Sequence, residues 1–266
     1  MKISKITNPG GRPYNQDYAD YAVCGGAVCI AVADGLGAYI GSEVAGETAV
    51  KTVLAQFRAL ANKGVDLFNG AVMNKIFRLA HNAILKVKNS ATDLRAGCTT
   101  LSVLIADEKQ FVVAHEGDSR IYFFKNGSLA FYSKDHSLAR AAVDRGEITA
   151  DEIRFHKDQN KLTRVLGSEY YVQPDYKIYR GQTANDAVLI CTDGFWENVY
   201  EKEMELTLKH TTGAVEALSA MESVLKDRLN EDSDNYTAVL LRFSGDDEIA
   251  ERLKAQNNGA GGDNNG

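Results

Sequence analysis

The chain has 266 residues, 44% of them apolar, a formal net charge of −6 and a sequence pI near 5.5. That is enough apolar material for a sizeable core in one large domain, and an acidic balance without clustered Lys or Arg argues against nucleic acid or anionic lipid as the main partner. The longest unbroken apolar run, AVCIAVA (27–33), is about a third of a membrane span and MKISKITNPGG carries no signal-peptide core, so the sequence predicts a cytoplasmic protein without a membrane span.

Residues 14–33 read as two short strands. SEVAGETAVKTVLAQFRALANKG (42–64) then sets Ala45, Ala49, Val53, Phe57 and Leu60 at helical spacing, and 66–90 repeats the pattern with Val72, Ile76, Leu79, Ala83, Ile84 and Val87. Strand-like runs follow, CTTLSVLIA, FVVAHEG and SRIYFF, separated by turn-forming DEKQ and EGDS. In a polar middle region, 134–169, SLARAAVDRG and a capping box from Thr149 to Glu152 predict shorter helices. AVLICTDG resumes the strands, TGAVEALSAMESVLKDRL is an amphipathic helix, and NYTAVLLRF closes the series. This order predicts an α+β layered sandwich rather than regular βαβ winding. One domain over 1–245 is expected, followed by a disordered tail, 246–266, which ends NNGAGGDNNG and is too polar to bury itself.

The cysteines, Cys24, Cys29, Cys98 and Cys191, lie in or beside apolar runs, without a CxxC pair or a histidine at zinc-finger spacing. They read as reduced, buried small residues. Trp196 is expected to pack beneath the loop at 193, and His136, followed by the helix-capping Ser137, reads as structural. His81, His115, His156 and His210 have no partner at metal spacing.

Aspartates recur where apolar runs end or begin: VCIAVAD at Asp34, VVAHEGD at Asp118, VLICTD at Asp193, and Asp234-Asn before YTAVLLRF. Asp17, in YNQDYADY, is a fifth candidate. Any one alone is a common turn former. At Asp34 and Asp193 no strand resumes after the turn, so a plain hairpin does not fit; at Asp118 a hairpin FVVAHEG-DS-RIYFF and a functional role both stay open. A strand, then Gly35, Gly37 and Gly41, then a helix is similar to a dinucleotide-binding turn, but the spacing is one residue too long and Asp34 would repel a pyrophosphate. Carboxylates brought together raise one another's pKa, and divalent cations remove that cost. Oxygen-only ligation suits Mg²⁺ or Mn²⁺ rather than zinc, and Gly35, lacking Cβ, can turn its carbonyl toward a metal.

RPYNQD (12–17), DGLG (34–37), GCTT (97–100), GDSRIY (117–122), KDHS (134–137), LTRVLG (162–167), CTDGFWENV (191–199) and DNYTAVLL (234–241), in this order, resemble the type 2C metal-dependent serine/threonine protein phosphatases, in particular their short single-domain prokaryotic members. The resemblance covers about residues 3–243. It implies a four-layer α-β-β-α sandwich of two antiparallel sheets flanked by helices, with metals at the sheet edge. It further implies that Asp34 bridges two Mn²⁺ or Mg²⁺ ions, with the Gly35 carbonyl, Asp193 and Asp234 completing one site and Asp17 acting at the other, mainly through water. Asp118 would join Asp193 at a third, weaker ion, Arg12 would hold the substrate phosphate, and 134–169 would form a mobile flap. The water between the metals would attack phosphorus in phosphoserine or phosphothreonine of proteins, in opposition to a serine/threonine kinase. Two departures stand out. Gln16 occupies a position that often carries Glu, and Ala38-Tyr39 replace the Gly-His of members whose histidine is the proposed general acid. The Tyr39 replacement leaves an alternative, a weak or silent pseudophosphatase that binds phosphoproteins.

Overall fold

In the computed structural model, which describes residues 1–36, 41–90, 97–171 and 173–244, the apolar runs pair into two five-stranded antiparallel sheets. The first runs in the order β1 (Lys2–Asn8), β10 (Tyr236–Arg242), β9 (Ala187–Cys191), β6 (Arg120–Lys125) and β7 (Ser128–Tyr132). The second runs β2 (Asp17–Cys24), β3 (Ala27–Asp34), β4 (Leu101–Ala106), β5 (Gln110–Glu116) and β8 (Asp175–Arg180).

The alternation within β3 explains the layers. Val28, Ile30 and Val32 face the other sheet, where they meet Ile121, Ile190 and Val239, while Cys29, Ala31 and Ala33 face the helices α1 (Ser42–Asn62) and α2 (Gly70–Ser90). Period-two side chains buried on both faces are what a strand at the centre of such a sandwich requires. On the far side, α5 (Glu201–His210) and α6 (Ala214–Lys226) cover the first sheet through Met204, Leu208, Leu218 and Leu225. The result is the four-layer α-β-β-α sandwich that the motif order implied. Two short helices, α3 (Leu138–Asp144) and α4 (Asp193–Trp196), complete the set.

Several local readings change. The hairpin between FVVAHEG and SRIYFF does not form, because β5 pairs with β4 and β8 whereas β6 pairs with β7 and β9 in the other sheet. Gly117 makes that crossing possible: its φ of 104° suits glycine, and a Cβ there would stand 2.5 Å from the Thr100 side chain. The Thr149–Glu152 box opens a 3₁₀ turn over Asp151–Phe155, with the Glu152 carboxylate accepting the Thr149 N–H at 2.6 Å. On α2 the buried stripe is Val72, Met73, Ile76, Phe77, Ala80 and Ile84, so Leu79, Ala83 and Val87 are only half-buried. Cys29 and Cys191 are buried as expected, but Cys24 and Cys98 are half-buried. Tyr39, Ala38 and the 246–266 tail lie outside the described residues.

Candidate metal centre and catalytic cleft

Antiparallel pairing places Asp17, at the start of β2, directly opposite Asp34, at the end of β3. Asp118 sits on the crossing between the sheets, Asp193 opens α4 after β9, and Asp234 lies just before β10. The topology thus delivers all five to one end of the sandwich. Asp34, Gly35, Asp118, Asp193 and Asp234 line a single cleft of about 990 Å³, with Arg12 at its side. Asp17 stands behind them, 7% exposed, with Oδ2 accepting a hydrogen bond from Thr192 Oγ1 at 2.9 Å.

The backbone around each carboxylate is fixed by residues from distant segments. The Asp34 carbonyl accepts from the Thr100 N–H at 2.9 Å and from Thr99 Oγ1 at 2.8 Å, and its own N–H donates to Thr100 Oγ1 at 2.9 Å. Gly35 is demanded by space as well as by chemistry, since a Cβ would approach the Ser42 carbonyl oxygen to 2.5 Å. Trp196 does pack under this region: buried, it donates Nε1–H to the Asp118 carbonyl at 3.0 Å. Asn235 Oδ1 accepts the Gln16 N–H at 2.7 Å while its amide donates to the Pro9 and Tyr14 carbonyls, which brings the 9–16 segment over the cleft. Arg12, half-exposed, pairs with Asp234 at 3.3 Å.

Electrostatically the floor is short of positive charge. Burial, then repulsion from Asp193, Asp17, Asp118 and Asp234, holds the Asp34 carboxyl well above its ordinary range. Asp118 is raised by burial and then by Asp193. Asp17 is pushed up to about 7 by burial, against hydrogen bonds from Thr192 and Thr237, and Asp193 to about 6 by burial and then Asp234. Oδ1 of Asp17 and Oδ1 of Asp118 are buried with no hydrogen-bond partner among the described residues. Among the described residues no three His, Cys, Asp or Glu side chains close around one point by themselves. A cation here would therefore complete its shell with the Gly35 carbonyl and water, the habit of Mg²⁺ and Mn²⁺ rather than of zinc.

Glu197 was not anticipated. It is one turn beyond Asp193, and burial with repulsion from Asp193 and Asp234 raises its carboxyl to about 8. It lies inside CTDGFWENV, as Thr192 does, while Thr99 and Thr100 lie in GCTT and Asn235 in DNYTAVLL. The motifs flagged these segments without saying which side chains support which carboxylate. The histidines hold no place in the cleft; His136 instead accepts the Gly117 N–H at Nδ1 over 3.1 Å, and Ser137 caps α3 as expected.

Crowded acids on the floor of an open cleft, faced by one guanidinium at Asp234 and with a buried oxygen of Asp17 and of Asp118 left unpaired among the described residues, suit divalent cations. The protein phosphatase 2C family pattern matches residues 11–251, and the chain belongs to that family, whose members are metal-dependent enzymes that remove phosphate from proteins. It is 30% identical to the serine/threonine phosphatase stp of Listeria welshimeri over 232 residues, covering 86% of this chain and 84% of that protein. In fold it is similar to the serine/threonine phosphatase Stp1 from Staphylococcus aureus, with a TM-score of 0.79 at 22% identity over 92% of this chain and 96% of the other. It is likewise similar to the catalytic domain of the serine/threonine protein phosphatase PstP in complex with two manganese ions, with a TM-score of 0.72 at 26% identity over 90% and 96% of the two chains.

Proposed function

We propose that this protein hydrolyses phosphoserine and phosphothreonine in proteins at the carboxylate floor, with Asp17, Asp34, Asp193, Asp234 and the Gly35 carbonyl holding two Mn²⁺ or Mg²⁺ ions and Asp118 serving a third with Asp193. Such ions supply an acidified water as nucleophile and neutralise charge on the phosphoryl oxygens. The reading is carried by one observation: Asp34 stands opposite Asp17 across the β2–β3 pair and lines one cleft with Asp118, Asp193 and Asp234, a crowding of carboxylates that a cation relieves. Asp34 therefore fits a ligand shared between ions.

Arg12 suits the substrate phosphate. Its guanidinium is at the cleft, half-exposed and engaged among the described residues only with Asp234, so an incoming phosphate can compete for its paired N–H donors. The leaving alkoxide needs a proton, and a positioned acid contributes about 10² to 10⁴ in rate. In this reading a water of the site supplies it. The natural setting is the cytoplasm, opposite a serine/threonine kinase; no helix among the described residues is long and apolar enough to cross a membrane.

The silent-module alternative draws no support from the relatives, which are named as phosphatases. Phosphate release from a phosphothreonine peptide decides the matter. Turnover should require Mn²⁺ or Mg²⁺, stop with EDTA and return when metal is restored. Turnover indifferent to EDTA would sink the metal reading, and binding of the peptide without turnover would establish the silent module.

A further inference from the structure

The cleft has two separately anchored walls. One, with Arg12, Tyr14 and Asn15, is tied down by Asn235. The other is built from Leu36, Glu43, Cys98, Leu162 and Val165. Backbone bonds make this second wall a frame rather than a chance approach of loops. The Leu36 N–H donates to the Cys98 carbonyl at 3.0 Å, Thr99 and Leu166 exchange bonds of 3.1 and 2.9 Å, and Ser42 Oγ donates to the Leu36 carbonyl at 2.7 Å. The first turn of α1, which bears Glu43, is thereby fixed beside Leu36 and Cys98.

Leu36, Cys98, Leu162 and Val165 are half-buried, so part of their apolar surface lines a cleft whose floor is entirely polar. Apolar walls around a few charged groups are how pockets take the carbon part of a ligand while the polar part is fixed elsewhere. The Glu43 side chain is exposed and makes no hydrogen bond or ion pair with any described residue. Once cations neutralise the floor, Glu43 is the uncompensated negative charge of this wall among the described residues.

We infer that this wall reads the sequence around the phosphorylated residue: it favours segments with an apolar side chain next to the phosphoserine or phosphothreonine and a Lys or Arg on the Glu43 side. The inference rests on the phosphatase reading above and deepens it into a substrate class. Opposite charge set across an open cleft gives discrimination between partners more than raw affinity. Glu43 also stabilises the start of α1 through its place in the first turn, but that effect moves the melting temperature and leaves the relative rates on different peptides alone.

The test compares kcat/KM of the Mn²⁺-loaded protein on phosphothreonine peptides flanked by Lys, by Glu, by Leu and by Ser, each divided by the value for p-nitrophenyl phosphate, which has no flank. The wild type should prefer the Lys peptide over the Glu peptide. Glu43→Gln should narrow that preference by about twofold to fivefold, the scale of an exposed ion pair, and Glu43→Lys should reverse it. Leu162→Ser should cut the Leu-over-Ser preference by about tenfold. A Lys-to-Glu ratio that is the same in wild type and Glu43→Lys would overturn the inference while leaving the enzyme intact. Loss of all p-nitrophenyl phosphate turnover in the wild type would overturn the phosphatase reading beneath it.

Discussion

Acids are buried in two adjoining places in this protein, and they are compensated in opposite ways. Around Trp196, Asp135 receives two bonds from Arg120, at 2.8 and 2.7 Å, and Glu201 receives Arg154 at 2.7 and 2.6 Å and the Tyr122 hydroxyl at 3.0 Å. Arg120 lies 3.5 Å over the Trp196 ring. Next to this cluster, the floor of the cleft leaves an oxygen of Asp17 and one of Asp118 without a hydrogen-bond partner among the described residues. The difference separates support from chemistry. The paired cluster sets a guanidinium against each of its carboxylates and holds Trp196, whose Nε1–H fixes the backbone of Asp118. The unpaired floor is unfinished until something positive arrives.

The sharpest way to break this comparison is to remove one acid from each side. If Asp193 helps hold the cations as proposed, Asp193→Asn should lower peptide turnover by about a thousandfold or more, since several kcal/mol of charge stabilisation would go with them. In EDTA the same variant should melt higher than wild type, because a charge has left a set that repels itself. Asp135→Asn should do the reverse in stability. It strands the buried Arg120 and should cost about 3–5 kcal/mol, roughly 6–20 °C in melting temperature at this chain length. If both variants lower the metal-free melting temperature alike, the two clusters are not different in kind.

Metal removal probes the floor alone. At a free Mn²⁺ concentration about a hundred times its Kd, binding should add about 2.7 kcal/mol, roughly 5–10 °C, over the EDTA-treated protein. A melting curve that does not respond to Mn²⁺, with no binding heat, would remove the cations from the account. Smaller again is Asp118→Asn, which should keep the Mn²⁺-induced rise but lose about tenfold in turnover, the scale of an outer position at a metal site. Full activity in that variant would reduce Asp118 to its part in the crossing between sheets.

Much of this was readable in the chain, and the exceptions share a cause. α1, α6 and the buried strands declared themselves through periodicity, since one face or both meet the core. β1, β7, β8 and α5 did not: β8 (DYKIYR) has no buried residue and α5 buries only Met204 and Leu208, so their patterns carry little apolar signal. The crossing at Gly117–Asp118 looks locally like a hairpin, and what reveals otherwise is distant in sequence: the strands that β5 and β6 pair with, and the packing of Gly117 on Thr100, just before β4. In the cleft the aspartates were visible because each ends or precedes an apolar run. Their supports were not, because Thr192 reaches Asp17 across 175 positions of sequence and no local pattern encodes such a bond.

A third kind of buried group beside the two acid clusters is a base kept neutral. His136 stacks on His115 with centroids 4.6 Å apart, accepts the Gly117 N–H at Nδ1, and faces Arg164 Nη1 at 2.9 Å and Asp175 at 3.4 Å. Burial first, then His115 and Arg164, depress it from its ordinary value to about 3, with Asp175 pulling the other way. A depressed base stabilises the fold fully above its unfolded pKa of about 6.5, and that contribution is lost as pH falls from there toward 3. His136→Asn keeps an oxygen acceptor for the Gly117 N–H and does not titrate, at the cost of the ring stack, about 0.5–1.5 kcal/mol. Wild type should therefore be the more stable at about pH 7.5, and its advantage should shrink by about 1 kcal/mol at about pH 5.5, as seen in urea midpoints. Acid loss of cations occurs in both proteins and cancels in the difference, whereas His115, stacked on His136, titrates with it as a pair, so the measured change belongs to that pair. A gap that stays constant with pH would mean that His136 is not held neutral by its surroundings, and that the clasp on Gly117 survives protonation.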